Sequence, residues 1–187
     1  VGPNRPVIYF SFDGGTLRII NSLTPLELTG GDRTSFQGLS DDQYIYQNEL
    51  TGYRVEIFKQ PFRYIVKDDS GLIVLEAYGG ALAYWEWADD FAGQKEYTLR
   101  FKSSAQKYYG FGERYNRLNQ KGTVKKTCVY NPYLNQRDET YIPVPFFMTE
   151  KGYGLFLNTA QYTSFDLGGQ LDDLLEIQGK TNRKQDY

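Results

Sequence analysis

The sequence contains no histidine and only one cysteine among its 187 residues. Without histidine, the chain cannot build a Ser-His-Asp triad, a histidine general base or a histidine-ligated metal site. The single Cys128 cannot form an internal disulfide or a site with several cysteine ligands, and it is typical of a small buried apolar residue. These absences exclude several common catalytic and metal sites. They leave the redox compartment, and with it the localisation, open.

Long apolar runs and an excess of one charge are also lacking. No apolar run reaches the ~18 residues that a membrane-spanning helix needs. Residues 1–4 do not form the basic-then-apolar pattern of a signal peptide, although a signal could have been removed. The chain has 21 basic and 23 acidic residues, for a net charge of −2. Neither sign gives the electrostatic footprint of a nucleic-acid or anionic-membrane partner, so we expect no nucleic acid and no membrane as partners.

Aromatic residues and glycine are abundant instead, with 17 Tyr, 12 Phe and 19 Gly. Tyr, Phe, Val, Ile and Thr fit half-buried pleated surfaces, and glycine fits the turns between them. Residues 29–43 are polar and rich in turn formers, which predicts a loop, and no segment predicts a helix of three or more turns. Strand-like segments separated by turns cover residues 7–12, 17–20, 44–46, 53–59, 62–67, 72–77, 96–101, 123–130, 141–148, 153–158, 163–167 and 174–177. The turn at 13–15 predicts a hairpin of 7–12 with 17–20, and the turn at 68–71 predicts a hairpin of 62–67 with 72–77. At 53–59, Tyr53, Val55 and Ile57 fall on one face, and residues 60–61 (Gln-Pro) end the strand because proline cannot donate to a ladder.

Short strands with a turn every ~8–12 residues are typical of an antiparallel β-sandwich or barrel. We therefore predict an all-β fold with few or no helices. A chain of 187 residues is long enough for one domain with its own core. We expect residues 1–187 to form that single domain. The tail at 179–187 resembles a turn without a partner strand, which suggests an excerpt from a longer protein.

The stretch 108–114, with the sequence YYGFGER, combines two aromatics, two glycines and a Glu-Arg pair. Glycine at alternate positions lets a backbone or a ring approach closely, or permits a bulge. One interpretation is a core strand with a bulge and a structural ion pair. The other is a family signature at the mouth of a sugar site. The seven residues alone do not decide between them.

Three blocks, in order, resemble the N-terminal β-sandwich domain of glycoside hydrolase family 31, which includes α-glucosidases, α-xylosidases and α-glucosyltransferases. The blocks are Tyr109 to Arg114 (YGFGER), the pair Tyr130-Asn131, and the run from Tyr141 to Asn158, which contains YIPVPFFMT and GYGLFLN. The resemblance is clear over about residues 97–167 and weaker before that, where 59–63 (KQPFR) supports it. It implies a galactose-mutarotase-like supersandwich as the fold.

The resemblance also implies a retaining mechanism with two aspartates on a (β/α)₈ barrel that follows this domain. A chain of 187 residues of strands cannot contain that barrel. We therefore assign no catalytic residue to the chain, expect it to be inactive alone, and expect an α-glucoside or α-xyloside as the substrate of the parent enzyme. Neither the residues nor the resemblance indicates a cofactor or a metal cluster, although Ca²⁺ sites made of backbone carbonyls leave little sequence trace.

In the family, the loop after the aromatic-Asn pair often carries an aspartate that hydrogen-bonds the sugar. Here Tyr133 stands about where that aspartate would fall, which is a departure from the pattern. The candidate substrate-binding residues are therefore Asn131, Tyr133 and Asp138. Tyr133 could offer a ring and a hydroxyl, or Asp138 could reach in from further along the loop. The alternative is a solvent-exposed loop without sugar contact. Asp138, Glu139 and Glu113 resemble acid/base candidates, but such acids are usually simply solvated.

Two other functions fit part of the sequence. Trp85 and Trp87 share one face of an extended segment, and if exposed they could stack on sugar rings as in a free-standing carbohydrate-binding module. If buried, as large aromatics usually are, they belong to the core. A purely structural or adhesive sandwich fits the composition but does not explain the order of the three blocks. The glycoside processed, the balance of hydrolysis and transfer, and the oligomeric state stay open.

Overall fold

The computed structural model describes residues 7–13, 16–22, 34–40, 42–49, 51–77, 96–129, 140–159 and 162–180. These segments contain fourteen β-strands and no helix. The strands are β1 Val7–Asp13, β2 Thr16–Ser22, β3 Thr34–Ser40, β4 Gln43–Asn48, β5 Arg54–Lys59, β6 Phe62–Lys67, β7 Ile73–Ala77, β8 Glu96–Lys102, β9 Tyr108–Gly110, β10 Val124–Lys126, β11 Phe146–Thr149, β12 Gly154–Phe156, β13 Tyr162–Leu167 and β14 Leu174–Lys180. The predicted all-β class is confirmed.

The strands form three antiparallel sheets. β1 and β2 pair as a hairpin, as the sequence predicted. Nine strands form a large sheet in the order β10-β13-β14-β8-β7-β6-β5-β4-β3. Three strands form a small sheet in the order β12-β11-β9. The predicted hairpin of 62–67 with 72–77 is present as β6 and β7, and residues 60–61 end β5 as expected.

The large and small sheets pack face to face through aromatic rings. Tyr108 of β9 and Phe147 of β11 lie on the small sheet, and Phe165 of β13 lies on the large one. The ring of Phe147 is 5.3 Å from that of Tyr108 and 6.3 Å from that of Phe165, and all three side chains are buried. The two inner faces thus enclose one aromatic core, which is the arrangement of a β-sandwich.

Alternation along the strands gives the large sheet its apolar inner face. On β5, Val55 and Ile57 join the core, as their spacing predicted. Glu56 points to the other face, where its carboxylate lies 2.7 Å from the Lys67 ammonium and 3.3 Å from Arg54. Glu56 is nevertheless buried, because these cations pack over it.

The structure corrects three expectations. The predicted loop at 29–43 is wrong for Thr34–Ser40, which forms β3 and pairs with β4. The backbone ladder from β4 supplies the hydrogen bonds that the polar sequence of this segment did not suggest. The strands predicted at 123–130 and 141–148 are shorter. β10 covers only Val124–Lys126, and β11 begins at Phe146, after two prolines that cannot donate to a ladder. The segment with Trp85 and Trp87 lies outside the described residues.

Candidate functional site

All three predicted substrate-binding residues, Asn131, Tyr133 and Asp138, lie outside the described residues. The structure does describe the two segments that flank 130–139. We call residues 126–129 the outgoing stem and residues 140–144 the returning stem. Both stems meet the stretch 110–114, which we call the glycine motif.

Consecutive positive φ angles shape the glycine motif. The φ angles of Gly110, Phe111 and Gly112 are 126°, 69° and 82°. A Cβ on Gly110 would lie 2.7 Å from the carbonyl oxygen of Phe146, and one on Gly112 would lie 1.9 Å from that of Ile142. The motif therefore needs glycine at both positions, for its backbone conformation and for close contact with a neighbouring backbone.

Phe111 adopts a left-handed conformation that is unusual for a bulky residue. Its amide donates a hydrogen bond of 2.8 Å to the Phe146 carbonyl, and its fully buried ring lies 5.5 Å from Phe147 and 5.2 Å from Phe165. Such a conformation costs about 1–3 kcal/mol. Burial of a phenylalanine side chain contributes about 1.5–3 kcal/mol, which offsets that strain. The sandwich core thus fixes the direction in which the motif leaves β9.

Glu113 connects the motif to the returning stem. Its carboxylate accepts a hydrogen bond from the Tyr115 hydroxyl, which raises the pKa of Tyr115 to about 12. It also accepts one from Tyr141, and this bond and the carboxylate charge raise the pKa of the Tyr141 hydroxyl. Both phenols stay protonated at neutral pH, so both can donate to the carboxylate. Glu113 is thus held in a network and is not simply solvated.

Arg114 connects the motif to the outgoing stem. Its Nε donates to the Phe111 carbonyl at 3.1 Å, and its Nη2 donates to the Lys126 carbonyl at 2.8 Å. The rigid fork of the guanidinium joins the two backbones. No residue spacing predicts this contact or the pairing of Glu113 with Tyr141, because Lys126 and Tyr141 are distant from the motif along the chain.

A surface depression of about 370 Å³ lies beside the motif. Its wall includes Arg114, Tyr115, Arg117 and Leu118. Leu118 is 79% exposed and Tyr115 is 50% exposed, and on the returning stem Tyr141 and Ile142 are 45% and 51% exposed. This end of the sandwich therefore presents several large apolar side chains together with guanidinium and hydroxyl groups.

No group of three or more potential metal ligands occurs within the segments that the structure describes. In the same segments, no helix has the length and hydropathy needed to span a membrane.

Comparison with known proteins places this fold and motif in a family. Residues 7–166 match the family model described as the glycosyl hydrolase 31 N-terminal galactose mutarotase-like domain. An isomaltosyltransferase from Sporosarcina globispora is 29% identical over 132 residues, covering 68% of this chain and 12% of that protein. Alpha-glucosidase 2 from Bacillus thermoamyloliquefaciens is 31% identical over 127 residues, covering 64% of this chain and 15% of that protein.

Among solved structures, the cycloalternan-forming enzyme from Listeria monocytogenes, in complex with a pentasaccharide substrate, superposes with a TM-score of 0.80 at 27% identity. The match covers 94% of this chain and 17% of that enzyme. The chain thus spans less than a fifth of the length of each of these relatives. Because the family model matches most of the sequence, the chain belongs to glycoside hydrolase family 31, as its N-terminal galactose-mutarotase-like domain.

Proposed function

We propose that this chain is the non-catalytic N-terminal domain of a retaining α-glycosidase or α-glucosyltransferase that acts on α-glucosides or α-xylosides. The proposal rests on one observation: the family model covers most of this chain, whereas the chain covers only a small part of each relative. The family model covers residues 7–166, whereas the chain covers only 12% and 15% of the isomaltosyltransferase and the α-glucosidase. Most of each relative, with room for a catalytic barrel, therefore lies outside the part shared with this chain.

The domain's first role in this proposal is to pack on the catalytic barrel of its own polypeptide. One end of the sandwich carries four large side chains that are between 45% and 79% exposed: Leu118, Tyr115, Tyr141 and Ile142. Large apolar side chains grouped at one surface are typical of an interface. The guanidinium of Arg117 lies at the same end and could hydrogen-bond acidic groups at the rim of that interface.

Its second role is to contribute the 130–139 loop to the sugar pocket, through Asn131, Tyr133 and Asp138. Both stems of this loop start at the end of the sandwich that carries the exposed apolar side chains. A loop from that end could reach a site on a barrel docked there. A carboxylate or phenol that hydrogen-bonds a sugar hydroxyl gives specificity, because a wrong sugar leaves the buried polar group unpaired.

The test uses the full-length protein that contains this domain. Single alanine variants of Asn131, Tyr133 and Asp138 are compared with Gln136→Ala in the same loop. We expect at least one of the three to raise KM for an α-glucoside or α-xyloside by about tenfold, which corresponds to the loss of ~1.4 kcal/mol of sugar binding, with a smaller change in kcat. If none changes KM more than Gln136→Ala does, the sugar contact is refuted.

Two further measurements test the enzyme itself. Proton NMR of the first product should show the α anomer, as a retaining mechanism requires. The 187-residue chain alone should show no turnover. If the native gene product proves no longer than this chain, a barrel in the same polypeptide is excluded. A carbohydrate-binding module would then be tested by glycan binding and its loss in Trp85→Ala or Trp87→Ala.

A further inference from the structure

The glycine motif lies between the two stems of the 130–139 loop. Its backbone and side chains contact the outgoing stem at one point and the returning stem at two. These contacts suggest a role for the motif that its place in the core does not explain.

The outgoing stem is held at successive residues. Arg114 Nη2 donates to the Lys126 carbonyl at 2.8 Å. The next residue, Thr127, donates its amide to the Thr163 carbonyl at 2.8 Å, and its hydroxyl oxygen accepts the Thr163 amide at 3.0 Å. Arg114 thus contacts this stem at Lys126, the last residue of the ladder between β10 and β13, and Thr163 of β13 holds the residue after it.

The returning stem is held from the other side of the motif. The backbone of Gly112 packs so closely on Ile142 that no Cβ fits between them. The Glu113 carboxylate accepts a hydrogen bond from Tyr141. Inside the stem, the Ile142 amide donates to the Thr140 hydroxyl at 3.1 Å, and Thr140 is buried. The stem thus has a defined backbone path that depends on the motif.

We propose that the motif positions the loop: Arg114 holds the outgoing stem, and Gly112 and Glu113 hold the returning stem, so that the loop starts and ends at fixed points. This inference rests on the proposed sugar contact of the loop. Fixed stems limit the positions that the loop residues can take, and such preorganisation raises affinity because less entropy is lost on binding. Gly112, Glu113 and Arg114 are positioning residues, because they act through the stems.

The first experiment uses hydrogen exchange with a matched pair of variants. Tyr141→Phe removes the returning stem's hydrogen bond to Glu113, whereas Tyr115→Phe removes a bond to the same carboxylate without touching either stem. Both side chains are about half exposed, so both variants should fold. We expect Tyr141→Phe to speed exchange of the Ile142 and Val144 amides about fivefold, as for the loss of one net hydrogen bond, and Tyr115→Phe to leave it unchanged.

The outgoing stem has its own pair of variants. Arg114→Lys keeps the charge but cannot fork between two carbonyls. Arg117→Lys makes the same change at a residue whose Nη2 donates to the Lys121 carbonyl, away from both stems. We expect Arg114→Lys, and not Arg117→Lys, to speed exchange of the amides at 127–129. The proposal is overturned if the two variants of each pair show equal exchange rates at the stem amides.

Kinetics on the full-length enzyme separate this inference from the proposed function. If the motif positions a sugar-binding loop, Tyr141→Phe should raise KM about three- to tenfold with kcat nearly unchanged, since weakened uniform binding affects KM. If alanine variants of the loop raise KM but Tyr141→Phe changes neither KM nor exchange, the positioning role alone fails. If the loop variants leave KM unchanged, the sugar contact fails, and exchange still decides whether the motif holds the stems.

Discussion

Replacing Gly112 with alanine tests the close approach of the glycine motif to the returning stem. The added Cβ would lie 1.9 Å from the Ile142 carbonyl oxygen and 3.0 Å from the Val144 amide nitrogen. Both neighbours are backbone atoms, so neither can rotate away as a flexible side chain would. The backbone of the motif or of the stem must shift by about 1.5 Å to restore an ordinary contact, which is overpacking within a tightly packed region.

Gly152 provides a matched control. Its φ angle of 82° equals that of Gly112, but a Cβ there would meet no atom within 4 Å. Gly152→Ala should therefore cost only the left-handed conformation of an alanine, about 1–2 kcal/mol. Gly112→Ala should cost the same amount plus an overpacking penalty of about 1–3 kcal/mol. The difference between the two variants isolates the close approach.

Urea unfolding followed by circular dichroism measures both variants against the parent chain. We expect Gly112→Ala to lower the free energy of unfolding by about 2 kcal/mol more than Gly152→Ala, with the same m-value. In thermal unfolding, this difference corresponds to a Tm about 4–8 °C lower for a chain of this length. If the two variants agree within about 0.5 kcal/mol, the backbone contact does not constrain residue 112, and the reasoning is refuted.

Two further predictions concern the core. Phe165→Ala should lower the free energy of unfolding by about 3–5 kcal/mol, because the fully buried ring contacts Phe111 and Phe147. Phe156 is 62% exposed, so Phe156→Ala should lower it by about 0.5 kcal/mol or less. If urea unfolding gives similar losses for the two variants, the packing between the sheets is contradicted. Burial raises the pKa of Tyr64 above its ordinary value of 10.0, so its neutral form favours the folded state. The contribution of Tyr64 to the free energy of unfolding should be complete below pH 10. Above pH 10 it should fall by about 1.4 kcal/mol per pH unit. Tyr64→Phe should reduce the slope of stability against pH above pH 10 by this amount, and an unchanged slope would argue against a buried phenol.

The strand segments show why much of the fold could be predicted. At 53–59 the alternation of apolar and charged residues placed Val55 and Ile57 in the core, and 60–61 ended the strand as expected. These features depend on neighbours a few residues apart, because side chains alternate along a strand. The order of three short blocks identified the family, which the family model confirmed.

The segment Thr34–Ser40 shows where local patterns fail. Its polar sequence predicted a loop, but β4 pairs with it along most of its length. The partner strand supplies the hydrogen bonds, so the low β-propensity of the segment did not prevent it from forming a strand. The loop contacts assigned to Asn131, Tyr133 and Asp138 remain predictions, because those residues lie outside the described segments.

The sequence by itself determined the all-β class, the hairpins joined by short turns and the family of the domain, because local alternation, turn residues and motif order carry that information. Only the tertiary structure decided that Phe111 adopts a positive φ, that Gly112 packs against Ile142, and that Arg114 reaches the Lys126 carbonyl. Each of these depends on packing between segments separated along the chain. The sandwich core sets that packing, and it brings the glycine motif between the two stems.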